Sequence, residues 1–428
     1  MLEQPLTLPC GAVLPNRLAK AAMTEGLADA SGVATPALTR LYGLWSDGGA
    51  GLLLSGNIQI DRDHLERVGN VIVDAEPTPE VSDALRALAE AATRNGNHFW
   101  GQISHGGRQT PKAVNAQPKA ASPVQLGLPG GQFGVPVAMS SADIDEVIAG
   151  FARCARVLKE CGFTGVQVHA AHGYLLSSFL SPRANQRTDQ WGGSLENRAR
   201  LLLAVVAAVR SAVGADFPVA VKLNSADFQR GGFEFSESLQ VAQWLEAASV
   251  DLIEISGGTY EQLRLLNLDG IEPIEEQTVK ASTRAREAYF VDFAQAMRSQ
   301  VNIPLMVTGG LRRRDAMEDA LATSSADVIG LGRPLCVTTN GAQQLLSGGT
   351  ELPRYEDTLS LLPAWLKWLE RFKLVRSVAG FATQYWYYEQ IALLGETGEA
   401  QPALSVLAAT KAQMAREKKL LAARKTIR

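Results

Sequence analysis

Alternation of element type constrains this chain more than any other feature. Short apolar runs rich in β-branched residues occur at 17–23, 51–59, 97–103, 164–169, 218–224, 251–256, 304–308 and 327–331. Between and after them lie segments of helical period near 36–47, 78–94, 143–161, 194–213, 236–248, 287–299, 313–322 and 334–346. A short apolar run bounded by turn residues reads as a strand, and a longer 3.6-period segment as a helix. Ser140 with Asp143, Ser194 with Asn197, and Ser236 supply helix start signals. Eight strands each followed by a helix predict an α/β fold of the (β/α)8 TIM-barrel type over residues 1–346. A doubly wound sheet is the rival, but no GxGxxG follows the first strand.

Residues 6–14, with Pro9-Cys10-Gly11 at the centre, read as an N-terminal hairpin capping the bottom of the barrel. Two connections are too long for plain barrel loops, about 104–141 and 257–286. Both follow strands, so both belong to the C-terminal face, where long loops serve as lids or substrate walls. Residues 347–428 form a C-terminal helical extension, packing on the barrel or at a subunit interface. Within it Trp365, Trp368, Leu369 and Phe372 share one helical face, behind Pro363 as a helix-starting residue. Phe381 and Tyr385 to Tyr388 form a second aromatic cluster, and packing on the barrel exterior is the expected fate of both.

Composition narrows the function classes. With 428 residues, 46% of them hydrophobic and 20% charged, the chain has globular composition and a large core. The formal net charge of −3 exerts no global pull toward nucleic acid. The longest apolar run, residues 201–209, falls well short of the roughly 20 residues a membrane span needs. No apolar stretch follows a basic start, so no signal peptide is expected. Cys10, Cys154, Cys161 and Cys336 are scattered without a CxxC pair. That excludes a zinc ribbon, an iron–sulfur cluster and a disulfide scaffold, and suits a reducing cytoplasm. The stretch from Lys411 carries seven Lys/Arg against one Glu, which reads as a solvated helix face rather than a membrane or nucleic-acid contact.

His169-Ala-Ala-His172-Gly-Tyr174 follows the fourth strand, where a barrel places catalytic groups. Two neutral imidazoles three residues apart can converge as donors on one oxygen, and a tyrosine two residues on can supply a proton. A metal site needs a third ligand, and none is obvious nearby. Gly309-Gly310 and Gly332-Arg333 follow the seventh and eighth strands. Barrels bind phosphate with those two loops, through backbone N–H groups and a bidentate arginine. Lys222, ending the fifth strand, is either a Schiff-base nucleophile or a fixed positive charge beside an electron-rich ring. Gln102 offers donor and acceptor to a ring amide edge.

Together these motifs resemble the old yellow enzyme family of FMN-dependent NAD(P)H:flavin oxidoreductases. The matching pieces are Leu14-Pro-Asn-Arg17, Ala22-Met23-Thr24, Gly101-Gln102 and His105-Gly-Gly-Arg108. The block from His169 to Arg198 is the most specific, and Gly330-Leu-Gly-Arg333-Pro334 is the last. The resemblance implies tightly but non-covalently bound FMN, with NADH or NADPH as reductant. It implies that Ala21, Ala22, Met23 and Thr24 lie along the flavin, with Gly56 and Asn57 at its edge. Gln102 would bind the pyrimidine end and Lys222 the N1–O2 side. His169 sits among the cofactor-binding residues, while Gly309, Gly310, Gly332 and Arg333 would hold the phosphate. His169 and His172 would bind the substrate carbonyl and Tyr174 would donate a proton. Asp189, Asn197 and Arg198 would lock the loop.

Three departures bear on substrate preference. Thr24 stands where one branch of the family has a redox-tuning cysteine, and Lys222 where many members have arginine. Glu25-Gly26-Leu27 lacks the aromatic that some members aim at substrate. The iron–sulfur motif and second flavin domain of larger members are not found, so electrons are expected directly from a nicotinamide. The expected activity is reduction of the C=C bond of α,β-unsaturated carbonyl compounds, by a cytoplasmic enzyme that partners small molecules rather than nucleic acid or membrane, with a homodimer as one assembly. The alternatives are a flavin-dependent amine or N-methyl dehydrogenase, a lysine-dependent aldolase using Lys222, and a non-catalytic barrel.

Overall fold

A computed structural model describes residues 1–128, 131–258 and 289–427. The chain opens with a two-stranded antiparallel hairpin, β1 (Leu6–Thr7) and β2 (Val13–Leu14). Strand β3 (Leu18–Lys20) leads into helix α1 (Pro36–Asp47), then β4 (Leu52–Gln59), the short β5 (Val71–Ile72), α2 (Pro79–Thr93) and β6 (His98–Ser104). A long connection holds the small pair β7 (Lys119–Ala120) and β8 (Val137–Ala138) before α3 (Ser141–Glu160) and β9 (Gly165–Ala170). Then follow α4 (Leu175–Leu180), α5 (Leu195–Val213), β10 (Val219–Asn224), α6 (Phe235–Ala247) and β11 (Leu252–Ser256). The barrel ends with α7 (Tyr289–Arg298), β12 (Leu305–Thr308), α8 (Arg314–Ala322) and β13 (Val328–Leu331).

Strands β3, β4, β6, β9, β10, β11, β12 and β13 are all parallel to their neighbours, and β3 pairs with both β13 and β4, so the sheet closes. This is the (β/α)8 barrel read from the sequence, and each of its eight strand runs is present. Closure gives every strand an inner and an outer face with period 2. The outer faces and the helices form the main apolar core. The inner faces form a second core of Ala19, Leu52, Leu54, Trp100, Ala220, Leu252, Met306 and Val328. Leu6, Leu8 and Leu14 of the hairpin belong to that inner core and close the barrel from below. Trp100 fills much of the floor because its neighbour across the pairing is Gly165, where a Cβ would lie 2.4 Å from the indole.

Local details differ from the periodicity reading in three places. Residues 334–346 are not one helix but a 3-10 turn (Arg333–Cys336) and a short helix, α9 (Gly341–Leu346). Helix α6 starts one residue early, because Glu234 and Glu237 form the capping box instead of Ser236. Residues Ala364–Arg371 form a 3-10 helix, and its aromatics face outward: among the described residues Trp365 is 74% and Trp368 55% exposed. The second long connection lies outside the described residues from 259 to 288.

The chain after the barrel ends in two long helices, α10 (Lys373–Thr397) and α11 (Val406–Ile427). Helix α10 lies against α1, with Arg40 donating to the carbonyl of Gly395 at 2.6 Å. Trp386 is fully buried and donates to Leu404 O at 2.7 Å. Arg67, in the segment after β4, is the main link to α11. It donates through Nε to Glu417 (2.9 Å) and through Nη2 to Gln413 (3.0 Å), and its guanidinium lies 4.0 Å from the Tyr388 ring centre. Arg424 donates to the carbonyl oxygen of Arg62 in the same segment. Arg416, also on α11, holds the Glu396 carboxylate, so two basic residues of this helix bind groups of this chain. Among the described residues no helix is long and apolar enough to cross a membrane.

Replacing Arg67 with methionine keeps a long apolar stem but removes the charge that Glu417 and Gln413 hold. The expected loss is roughly 2–4 kcal/mol, read as a lower urea midpoint. Proteolytic cleavage should move into α11; a variant within experimental error of wild type would mean that Arg67 does not anchor this helix.

Candidate active site

The inner faces that are apolar at the floor turn polar one layer higher. On β10 the inward residues run Ala220, Lys222; on β11 Leu252, Glu254; on β6 Trp100, Gln102; and on β9 Gln167, His169. Register sets these polar groups side by side: Gln102 pairs with Gln167, and Lys222 with both His169 and Glu254. Gln102 Nε2 donates to Gln167 Oε1 at 2.6 Å, and Gln167 Nε2 donates to Glu254 Oε2 at 2.8 Å. The other carboxylate oxygen of Glu254 lies 2.9 Å from Lys222 Nζ. A carboxylate oxygen accepts, so Glu254 orients the Gln167 amide, and Gln167 in turn takes one of the two N–H groups of Gln102. The oxygen of Gln102 and its second N–H are then on offer to the donor and acceptor of a ring amide edge.

Above this chain stands the histidine turn. His169 Nδ1 accepts from the backbone N–H of Ala171 at 3.2 Å, so its proton sits on Nε2. His172 adopts φ 62°, held by Asn224 Oδ1 accepting its backbone N–H at 3.1 Å and by Gln109 donating to its carbonyl at 2.9 Å. A non-glycine residue in that region signals a constrained, commonly functional, turn. His172 Nε2 lies 2.6 Å from Ser256 Oγ. The His169 and His172 rings are 5.2 Å apart, and the buried Tyr174 ring stands edge-on to His169 at 4.8 Å. Burial, chiefly, pushes both imidazoles well below their usual range, with the Lys222 ammonium adding to it. Both are neutral near pH 7 and can donate without carrying charge.

One rim of the mouth is the half-buried run Ala22, Met23 and Thr24, with Ala21 beneath, beside Gly56 and Asn57 at the end of β4. Gly56 N donates to Glu25 Oε1 at 2.8 Å, and Glu25 also takes the hydroxyl of the buried Tyr42. Thr24 does not point its proton into the mouth. Its hydroxyl donates to the buried Glu66 at 3.1 Å, where Asn57 (3.4 Å) and Asn70 (3.3 Å) also converge. Burial raises the Glu66 carboxyl above its usual range despite these donors.

The adjoining rim, after β12 and β13, carries Gly309 and Gly310, with φ of 129° and 77°, a backbone path that places main-chain groups rather than side chains along the edge. Arg333 and the buried Arg312 share Glu356, at 3.4 and 3.0 Å, and Tyr387 donates to the second oxygen of Glu356 at 2.9 Å. Two guanidinium groups on one carboxylate leave a net positive rim beside Gly332. Arg312 Nε, Thr308 Oγ1 and Asn57 Oδ1 are buried without a hydrogen-bond partner among the described residues. A ring with an amide edge and a phosphate tail, as FMN has, would complement these acceptors, donors and charges.

The surrounding loops are tied down. Asp189 takes Arg187 and the N–H of Trp191 (3.0 Å), Asn197 donates to Gly192 O (3.1 Å), and Arg198 reaches Gly193 O (3.1 Å), Leu180 O and Glu237. Asp61, His64 and His105 form a compact cluster with metal-ligand residue types. Its wiring opposes a metal. His64 Nε2 accepts from Lys119 N (2.9 Å) and His105 Nδ1 from Gly107 N (3.1 Å), so both remaining nitrogens carry hydrogen and point toward Asp61. The cluster fastens the long loop after β6 to the barrel.

Glu254, Gln167, Glu66, Arg312 and Ser256 escaped sequence reasoning. The signal for the first was present: a charged residue inside the apolar run Leu252-Ile253-Glu254-Ile255 is rare in a buried strand unless paired.

Acid should weaken the fold through the buried histidines. Burial lowers His105 to about 4, and His169 and His172 are also lowered. An unfolded histidine takes up its proton near pH 6.5, so below that the unfolded state binds more protons and stability falls with pH. Each imidazole contributes up to about 1.4 kcal/mol per pH unit. Urea unfolding is expected to be nearly flat above pH 7.5 and to lose stability steeply from pH 6.5 to 5; a flat profile there would refute the neutral assignment.

The family model described as NADH:flavin oxidoreductase / NADH oxidase matches residues 2–349. The NADH-dependent flavin oxidoreductase iliE of Neonectria sp. (strain DH2) is 39% identical over 78% of this chain, which spans 45% of that protein. The NADH-dependent flavin oxidoreductase iccE of Talaromyces variabilis is 37% identical, covering 78% of this chain and 84% of its own. The old yellow enzyme homologue of Zymomonas mobilis superimposes with a TM-score of 0.68 at 22% identity, covering 82% of this chain and 94% of its own. The chain therefore belongs to the NADH:flavin oxidoreductase / NADH oxidase family, the old yellow enzymes, whose cofactor is FMN and whose reductant is NADH or NADPH.

Proposed function

We propose that this oxidoreductase reduces the C=C bond of α,β-unsaturated carbonyl compounds at the mouth of the barrel. The observation that carries the reading is the grouping of two neutral imidazoles, the buried His169 and the half-buried His172, with the buried Tyr174 phenol at the strand end paired with Lys222. In this reading residues 1–346 bind FMN, and residues 347–428 buttress the segment after β4. FMN, when bound, supplies hydride transfer from the nicotinamide and to the substrate carbon. Ala21, Ala22, Met23, Thr24, Gly56 and Asn57 would hold one edge of it and Gln102 its amide side. Lys222 would face it as a positive charge, and Gly309, Gly310, Gly332, Arg333 and the additional Arg312 would hold its phosphate.

His169 presents its Nε2–H, and His172 the nitrogen that Ser256 leaves over, to the substrate carbonyl oxygen. Fixed donors aimed at an oxygen that gains negative charge lower the barrier without reorganising. Neutrality matters, because a buried imidazolium beside Lys222 would be costly and would bind the product oxygen too firmly. Tyr174 then delivers its phenolic proton to the α-carbon, on the face opposite the hydride. Two N–H donors suit an oxygen acceptor better than the cationic substrate of an amine dehydrogenase. The Glu254 ion pair occupies the amine that an aldolase would need for a Schiff base.

Purification with visible flavin absorbance is the first test. With FMN bound, His172→Ala should lower enone turnover roughly 10²–10³-fold and abolish the long-wavelength band that phenols give on stacking against oxidised flavin. Tyr174→Phe should keep phenol binding and reduction by NAD(P)H, while reoxidation by a weakly activated enone drops about 10²-fold or more. Reoxidation by a quinone needs no carbon protonation and should hold. Equal slowing of both half-reactions by Tyr174→Phe would make it a structural residue.

A further inference from the structure

Lys222 is not a lone cation. Its ammonium is buried in the barrel with Glu254 2.9 Å away, and Glu254 is itself completely buried. The functional reading above uses that carboxylate only to exclude a Schiff base, yet it is part of the continuous chain Gln102–Gln167–Glu254–Lys222 across four neighbouring strands. Among the described residues the titratable groups around this pair are His169 on β9 and His172 just after it; Lys20 on β3 lies within electrostatic reach of Lys222. Both imidazoles are neutral. Lys20 is spoken for by Tyr42 OH (3.1 Å), Leu54 O (2.7 Å) and the Trp45 ring (4.2 Å).

We propose that Glu254 is a positioning residue that cancels most of the Lys222 charge, so that a flavin seated in the mouth meets a nearly neutral floor rather than a cation. The inference rests on the FMN reading and extends it. A cation near the pyrimidine end favours the reduced, negatively charged ring, and a carboxylate 2.9 Å from that cation takes the preference away. The flavin is held at lower potential than Lys222 alone would set. It is thereby suited to acceptors that are harder to reduce than quinones, which matches the C=C bond of a weakly activated enone. Glu254 also fixes the Gln167 amide, and through it the oxygen that Gln102 presents.

The test reads charge directly. Sulfite adds to oxidised flavin with its own electron pair, forming one N–S bond, releasing nothing and leaving the new negative charge on the ring. Its dissociation constant is therefore a measure of the charge beside the flavin, independent of turnover. Four FMN-loaded proteins are compared: wild type, Glu254→Gln, Lys222→Met and the double variant. Net charge on the pair is 0, +1, −1 and 0 in that order. Glu254→Gln should bind sulfite at least about tenfold more tightly than wild type and Lys222→Met at least about tenfold more weakly. The double variant should return close to wild type, and the flavin midpoint potentials should follow the same order. Should Glu254→Gln not fold, Lys222→Met and the double variant still decide. A double variant as weak as Lys222→Met, or a Glu254→Gln indistinguishable from wild type, overturns the proposal while FMN binding stands. A wild-type chain that takes up no FMN overturns the functional reading itself, and this inference with it.

Discussion

Closure of eight parallel strands is the constraint on which everything else depends. Once β3 pairs with both β13 and β4, every second residue of every strand is committed to an interior with no exit except at its two ends. The lower end is filled by Trp100 and the aliphatic layer around it and stoppered by the hairpin leucines. Only the upper layer can therefore hold polar groups, and they must satisfy one another or a ligand. The ladder of Gln102, Gln167, Glu254 and Lys222 is that obligation met by neighbours in register.

The same enclosure decides protonation. His169 is buried and His172 half-buried beside Lys222, so the charged imidazole is penalised and both rings stay neutral. A buried ion pair such as Lys222–Glu254 earns little net stability, since desolvation offsets the attraction. Its retention makes more sense as a setting of local charge than as a fold-stabilising contact. The rim arginines are arranged differently, with two cations on Glu356 and a surplus of positive charge, which the proposed function assigns to the FMN phosphate.

The helices beyond the barrel act at a distance from the mouth yet on the residues that line it. Arg67 is clasped by α10 and α11, and its neighbour Glu66 is the group that receives the Thr24 hydroxyl. The rim at Thr24 thus depends on a carboxylate whose loop is held by the last helix. A reading limited to the barrel would give Thr24 a free hydroxyl; the structure gives its proton to Glu66.

Sequence alone was enough for the barrel, because period-2 and period-3.6 patterns are written in consecutive residues and need no partner to be read. It was also enough for the histidine turn, since His169, His172 and Tyr174 are close along the chain and stay close in space. What it did not contain was any pairing between distant positions. Gln102 meets Gln167, Glu254 meets Lys222, Thr24 meets Glu66, and Arg312 meets Glu356 only after the strands align and the loops fold over them. Trp365 and Trp368 erred in the other direction: helical spacing predicts an apolar face but not whether a surface of this chain covers it, and none among the described residues does. Local order follows from steric and hydrophobic rules acting within a few residues. Charge, protonation and proton direction at the site follow from burial and neighbours, which only the closed barrel supplies.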